Sequence, residues 1–145
     1  MPSTPSRPAF LVVDGNNIIH AWEDLLVLHR RRRGLGHVEL CRRLRQYLDC
    51  ADFRIVVVFD GRGSRREEER EPGGLQIIYT DGGNSADDVI ERLVARNIKK
   101  YRIVVATDDF AEQNLVSSFG AEVWSARMLQ SAVDGSEGDW RRYVR

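Results

Sequence analysis

Short apolar runs rich in β-branched residues alternate along this chain with segments whose apolar positions recur every three or four residues. The runs are Phe10-Leu11-Val12-Val13, Arg54 to Phe59, Gln76-Ile77-Ile78-Tyr79, Arg102 to Ala106 and a weaker Ala121-Glu122-Val123. Most are apolar at successive positions rather than at every second one. That pattern suits strands buried on both faces of a parallel sheet. Between them, Leu40, Cys41, Leu44, Tyr47 and Leu48 fall on one helical face, as do Val89, Ile90, Leu93 and Val94. Ala111, Leu115 and Val116 mark a third helix, and Ala126, Leu129 and Val133 a last one, stopped near Gly135. The order β, α, β, β, α, β, α, β, α predicts an α/β three-layer sandwich around a mostly parallel central sheet with right-handed crossovers.

The chain has 145 residues, which fits one compact domain. Three prolines among the first eight residues predict a flexible tail over residues 1–8. The domain is expected over residues 9–133, and a C-terminal tail over 134–145. No apolar run approaches the roughly 20 residues of a membrane span, and no secretory signal opens the chain. Twenty-two basic and 22 acidic residues cancel, so only local clusters of charge point to a partner. Cys41 and Cys50 are too far apart for a CxxC metal site and read as reduced thiols of a cytoplasmic protein. No GxxxxGK[ST] and no GxGxxG after a strand occurs, which argues against a nucleotide cofactor. His20, His29 and His37 lack metal-ligand spacing and read as surface or packing residues.

The acids carry the chemistry. The first run ends in Asp14 and the second in Asp60. The third leads to Asp81, and the fourth to Asp108 and Asp109. All strands of a parallel sheet end on one edge, where ligands bind. The pair Asp87-Asp88 opens the following helix on that same edge. Gathered carboxylates repel one another, and a hard divalent cation offsets this. Each acid also has a purely structural reading. Ser85-x-x-Asp88 has capping-box spacing, Asp109 to Glu112 has similar spacing, and Asp60-Gly61 and Asp81-Gly82 are turn dipeptides. In Asp14-Gly15-Asn16-Asn17 an asparagine caps the first helix, or Asn17 offers a neutral amide to a carboxylate, a water or a phosphate.

These residues resemble the YacP-like bacterial group of the NYN branch of the PIN-like nucleases. The matching pieces are Val13 to Trp22, Val57-Val58-Phe59-Asp60, Tyr79-Thr80, Ser85-Ala86-Asp87, Ile90-Glu91, Val105 to Asp109, Glu112-Gln113 and Ser125-Ala126-Arg127. Two positions depart from the family pattern: Asn16 replaces an aromatic residue and Asp108 a serine. The resemblance implies a Rossmannoid PIN-like fold and a metal-dependent endoribonuclease, with Asp14, Asp60, Asp87, Asp109 and Asn17 at or near the metal site. Asp14, Asp87 and Asp109 are expected to bind one or two Mg²⁺ or Mn²⁺ ions. Asp60 and Asp108 bind metal directly or through water, and Asn17 orients ligands. Hydrolysis by an activated water would leave a 5′-phosphate and a 3′-hydroxyl.

RNA is the expected partner, ribosome-bound mRNA included, with no membrane and a monomer or weak dimer. Arg30-Arg31-Arg32-Arg33 and the trio Arg62, Arg65 and Arg66 are candidate phosphate contacts, as is Arg127. Trp22 is the candidate for stacking a base. Two other classes fit the same chain: a non-catalytic RNA- or ribosome-binding module, and a Mg²⁺-dependent phosphatase of small esters.

Overall fold

The computed structural model describes residues 8–61, 67–71 and 74–143, with side chains described as far as Ser136. Arg62, Arg65, Arg66 and nearly all of the N-terminal tail lie outside the described residues. Six strands form one sheet: β1 (Ala9–Asp14), β2 (Phe53–Phe59), β3 (Glu67–Arg70), β4 (Leu75–Tyr79), β5 (Arg102–Ala106) and β6 (Glu122–Trp124). Their order is β3-β4-β2-β1-β5-β6. Every pairing is parallel except β3 with β4. β1 lies centrally, with Val13 beside Val57 on one side and Ala106 on the other.

The expected strands are all present. β3 is an addition: its four exposed residues, Glu-Glu-Glu-Arg, carry no apolar pattern to betray a strand. Charge suits this edge, because it discourages pairing with another chain. Gln76 Nε2 donates to Glu68 Oε2 (3.3 Å), and Arg45 holds Glu71 through two hydrogen bonds of 2.6 Å.

Strand alternation divides the core in two. Leu11, Val13, Ile55, Val57, Phe59, Ile77 and Val104 face one layer of helices. That layer holds α1 (Gly15–Ala21), α2 (Glu23–Arg31), α3 (Arg33–Leu48) and α6 (Ala126–Tyr143). Val12, Val56, Val58, Ile78, Ile103 and Val105 face the other layer, α4 (Ala86–Asn97) and α5 (Phe110–Ser118). Three helices therefore follow β1 where the periodicity showed one. Trp22 and Arg32, both extended, separate them. The last helix does not stop near Gly135 but continues to Tyr143. A glycine inside a helix weakens it without ending it.

The inward face of α5 is also shifted from the expected one. Glu112 and Val116 are buried, while Ala111 and Leu115 are exposed. Trp22 is core rather than surface. Its side chain is 2% exposed and its indole N–H donates to the Ala126 carbonyl (3.0 Å), which leaves no ring face for a base and corrects the stacking expectation.

Candidate metal centre

Continued past their last paired residues, the strands put alternate side chains on alternate faces. Asp14 shares the face of Val12, so it points toward α4 and α5. Asp87 stands in the first turn of α4 and Glu112 in the first turn of α5. One carboxylate oxygen from each of Asp14, Asp87 and Glu112 lies within 4.8 Å of the other two. Asp14 and Glu112 are each 5% exposed, and Asp87 opens to solvent. Thr107, fully buried at the end of β5, places its hydroxyl 3.1 Å from Glu112 Oε2 and 3.4 Å from Asp14 Oδ2.

Burial and crowding raise both buried acids. Desolvation lifts Asp14 to about 6 and the Asp87 charge pushes the same way, against the hydrogen bond from Glu112. Glu112 rises further, through burial first and then through its hydrogen bond to Asp14 and the charges of Asp14 and Asp87. Without a cation the pair holds a proton at neutral pH.

The residues fit a hard divalent ion. Glu112 Oε1 is buried with no hydrogen-bond partner among the described residues. Such an atom costs about 1–3 kcal/mol unless something meets it. The donors are three carboxylate oxygens, which suits Mg²⁺ or Mn²⁺ over softer metals. Ligands of an octahedral Mg²⁺ at about 2.1 Å lie roughly 3–4 Å apart, so small side-chain movements suffice to close the site.

The other expected acids hold the frame. Asp109 caps α5, accepting from the Ala111 and Glu112 N–H groups at 2.9 and 3.2 Å. Asp108 Oδ1 accepts from Ala126 N (2.8 Å) at the start of α6, on the opposite face of the sheet. Asp60 Oδ1 accepts from Ala86 N (2.8 Å) and so fixes the turn of α4 that carries Asp87. Asp60 also lies near enough to raise Asp14. Asn16 and Asn17 do not cap α1, whose N-cap position is Asp14. Their Oδ1 atoms accept from Asp60 N (3.1 Å) and Asp108 N (2.8 Å), tying the loops after β2 and β5 to the end of β1. Asp81 makes a local turn with Gly83 and Asn84. Ser85 and Asp88 form the capping box that their spacing suggested.

Glu112 is the member that the capping reading concealed. Its signal in the sequence was a four-residue step to Val116, which puts a carboxylate on a buried helical face.

Two glycines let the edge close. A Cβ on Gly15 would stand 2.3 Å from the Phe59 ring, and one on Gly61 would stand 1.9 Å from the Thr80 carbonyl oxygen. Beneath Gly15, Phe59 stacks on His37 (ring centroids 4.2 Å), and His37 continues to His29 and His20. The histidines are thus gathered, one from each of α1, α2 and α3, on the face away from the carboxylates. That stack brings the start of α3, with Arg30 to Arg33 exposed beside it, to the carboxyl edge of the sheet. Arg127 is exposed at the start of α6, beside a groove of about 430 Å³ lined also by Trp124 and Met128.

The family model of the YacP-like NYN domain matches residues 11–144. The chain belongs to this family. Its relative YacP from Bacillus subtilis (strain 168) is 33% identical over 137 residues, which span 93% of this chain and 81% of that protein. The crystal structure of Rae1 (YacP) from Bacillus subtilis superimposes with a TM-score of 0.79 at 32% identity, covering 94% of this chain and 79% of the other. A mutant form of Rae1 gives 0.78 at 31% identity, covering 92% and 79%. Membership of the NYN family supports a nuclease-type function related to RNA, and the acidic triad fits it. No helix among the described residues is long and apolar enough to cross a membrane.

Proposed function

We propose that the protein is a metal-dependent endoribonuclease, and that Asp14, Asp87 and Glu112 hold its divalent ion. One observation carries this reading: two buried acids and one exposed acid, drawn from three separate elements, converge within 4.8 Å. A fold stabilised only by capping has no use for that convergence, since like charges placed together oppose folding.

When bound, a divalent ion supplies an acidified water and charge neutralisation at a phosphodiester. The chain's own groups do the rest. Asp14 and Glu112 would hold the ion as carboxylates, since a metal competes with protons for these oxygens. Thr107 orients both carboxylates. Asn16 and Asp60 hold the first turn of α4, and with it Asp87. Asn17 and Asp109 set the start of α5 and so position Glu112, while Asp108 anchors α6 on the other face of the sheet; Asp60, near enough to act on Asp14, would meet the ion through water. Arg30 to Arg33 and Arg127, all exposed, offer phosphate contacts; Arg62, Arg65 and Arg66 lie outside the described residues and stay candidates by sequence alone. Attack by water leaves a 5′-phosphate and a 3′-hydroxyl.

Single-turnover cleavage of an end-labelled RNA tests this. The wild type should cut internally with Mn²⁺ or Mg²⁺ and stop on chelation, and Asp14→Asn should be inactive. RNA binding without cutting by the wild type, or full activity in Asp14→Asn, overturns the proposal. Release of phosphate from small esters in place of cutting would make the protein a phosphatase.

A further inference from the structure

We propose that His20, His29 and His37 form a proton-operated latch, which closes the turn between α2 and α3 onto Phe59 near neutral pH and releases it in mild acid. The inference stands on the stack of rings and does not depend on the nuclease reading.

One imidazole comes from each of α1, α2 and α3. The rings of His20 and His29 lie 5.4 Å apart, edge to face, and those of His29 and His37 lie 6.1 Å apart, 25° from parallel. His37 in turn lies on the Phe59 ring at 4.2 Å. Gly36 permits this approach. A Cβ there would stand 3.2 Å from the His29 Cβ and 3.3 Å from Ile19 Cγ2, where the three helices meet. His29 precedes and His37 follows the exposed Arg30 to Arg33, so the pair closes the two ends of that turn.

The stack suits neutral rings. His29 Nδ1 and His37 Nε2 are buried with no hydrogen-bond partner among the described residues. A neutral imidazole has one N–H to satisfy, whereas an imidazolium presents donors at both nitrogens. A buried charged donor without an acceptor is costly. The surroundings do not offset that charge. α1 and α2 contribute His20 and His29, and the turn contributes four arginines, all of the same sign as a protonated His37. On α3, four residues on, burial pushes the Cys41 thiol up to about 11, so it stays neutral. Tyr79 of β4, 6.3 Å from His37, is kept neutral by burial too. The charges of Glu67 and Glu69 on β3 act on Tyr79 and not on His37. Phe59 of β2 offers a ring face that attracts a cation but accepts from neither N–H in the ring plane. Burial first, and then the charge of His29, holds His37 below its usual value of 6.5.

A base kept neutral by folding costs nothing above its unfolded value. Its penalty grows as pH falls from 6.5 through the folded value. This runs opposite to the Asp14 and Glu112 pair, whose contribution is largest in acid. The penalty falls on the contacts that hold α2 and α3, so these open before the sheet does and free the arginine turn.

Histidine ring protons followed by NMR from about pH 8 to 5, with His37→Phe and His37→Gln assigning His37, read the latch, and hydrogen exchange reads its release. His37 should take up its proton below 6.5. Over the same range the protection factors of α2 and the first turns of α3 should fall relative to those of α4, by up to about tenfold per pH unit for each proton bound. His37→Phe keeps a ring on Phe59 and cannot titrate, so its loss of protection should be smaller. Its melting point should also fall less than that of the wild type between pH 7 and 5, a difference from which the carboxylate pair cancels. A His37 that titrates at or above 6.5, or equal losses in wild type and His37→Phe, overturns the proposal. So does a low titration with protection of α2 and α3 unchanged, which leaves a buried histidine and no latch. Should His37→Phe fail to fold, the wild-type titration and exchange profile, with His37→Gln for assignment, decide by the same outcomes.

Discussion

Glu112 shows how one side chain serves function against stability. Its carboxyl is buried beside Asp14, one oxygen lacks any described partner, and its affinity for a proton is raised. Glu112→Gln keeps the shape and removes the charge. Calorimetry without metal should therefore find this variant more stable than the wild type, while cleavage falls roughly a hundredfold or more. A pH dependence follows from the same pair. Asp14 moves from 3.8 to about 6 on folding, and Glu112 moves up as well. An acid whose affinity for a proton rises on folding stabilises fully below its unfolded value, and that contribution is lost as pH rises through the folded value. The metal-free protein should thus lose stability between about pH 4 and 6, with Glu112 extending the decline upward. Mn²⁺ should raise the melting point more at pH 8 than at pH 5, because the ion competes with protons. An equal rise at both pH values would contradict the assigned ligands. Asp14 and Asp87 were legible in the sequence from their places at a strand end and a helix start. Glu112 was not, because Asp109-x-x-Glu112 also spells a helix cap, and Asp109 does cap α5.

At the scale of elements, the centre is assembled by hydrogen bonds that cross between loops. The two asparagines after β1 hold the backbone after β2 and β5, and the acids there hold the first turns of α4 and α6. Strand parity explains the division: Asp60 continues the face of Val58 toward α4, whereas Asp108 falls on the opposite face and meets α6. Asp60→Ala leaves the Ala86 N–H without its partner. It should cost about 1–2 kcal/mol in stability and weaken Mn²⁺ binding roughly 10- to 100-fold by calorimetric titration, since the first turn of α4 carries Asp87. A loss of stability with unchanged affinity would show that Asp60 supports the fold alone. Such links join residues 18 to 91 positions apart. Periodicity reports only which face a residue occupies, so they could not be read from it. The same limit hid β3, whose four charged residues owe their strand conformation to the backbone of β4.

For the molecule as a whole, the layered architecture was legible because burial on both faces leaves an unbroken apolar run for each interior strand. Two helices cover one face of the sheet and four the other, and the acids gather at its carboxyl edge on the two-helix side. The three-helix excursion after β1 escaped the pattern. Its breaks fall at Trp22 and Arg32, and neither is a residue that normally ends a helix. That excursion brings the Arg30 to Arg33 turn to the working edge and leaves the carboxylates open on the other side. The claim on which this rests is that Asp14, Asp87 and Glu112 share one ion. Anomalous diffraction at the manganese edge, from crystals grown with Mn²⁺, tests it directly. The account predicts a peak in contact with all three carboxylates, absent in Glu112→Gln. A peak held by Asp108 and Asp109 away from Glu112, or no peak at millimolar Mn²⁺, would contradict it.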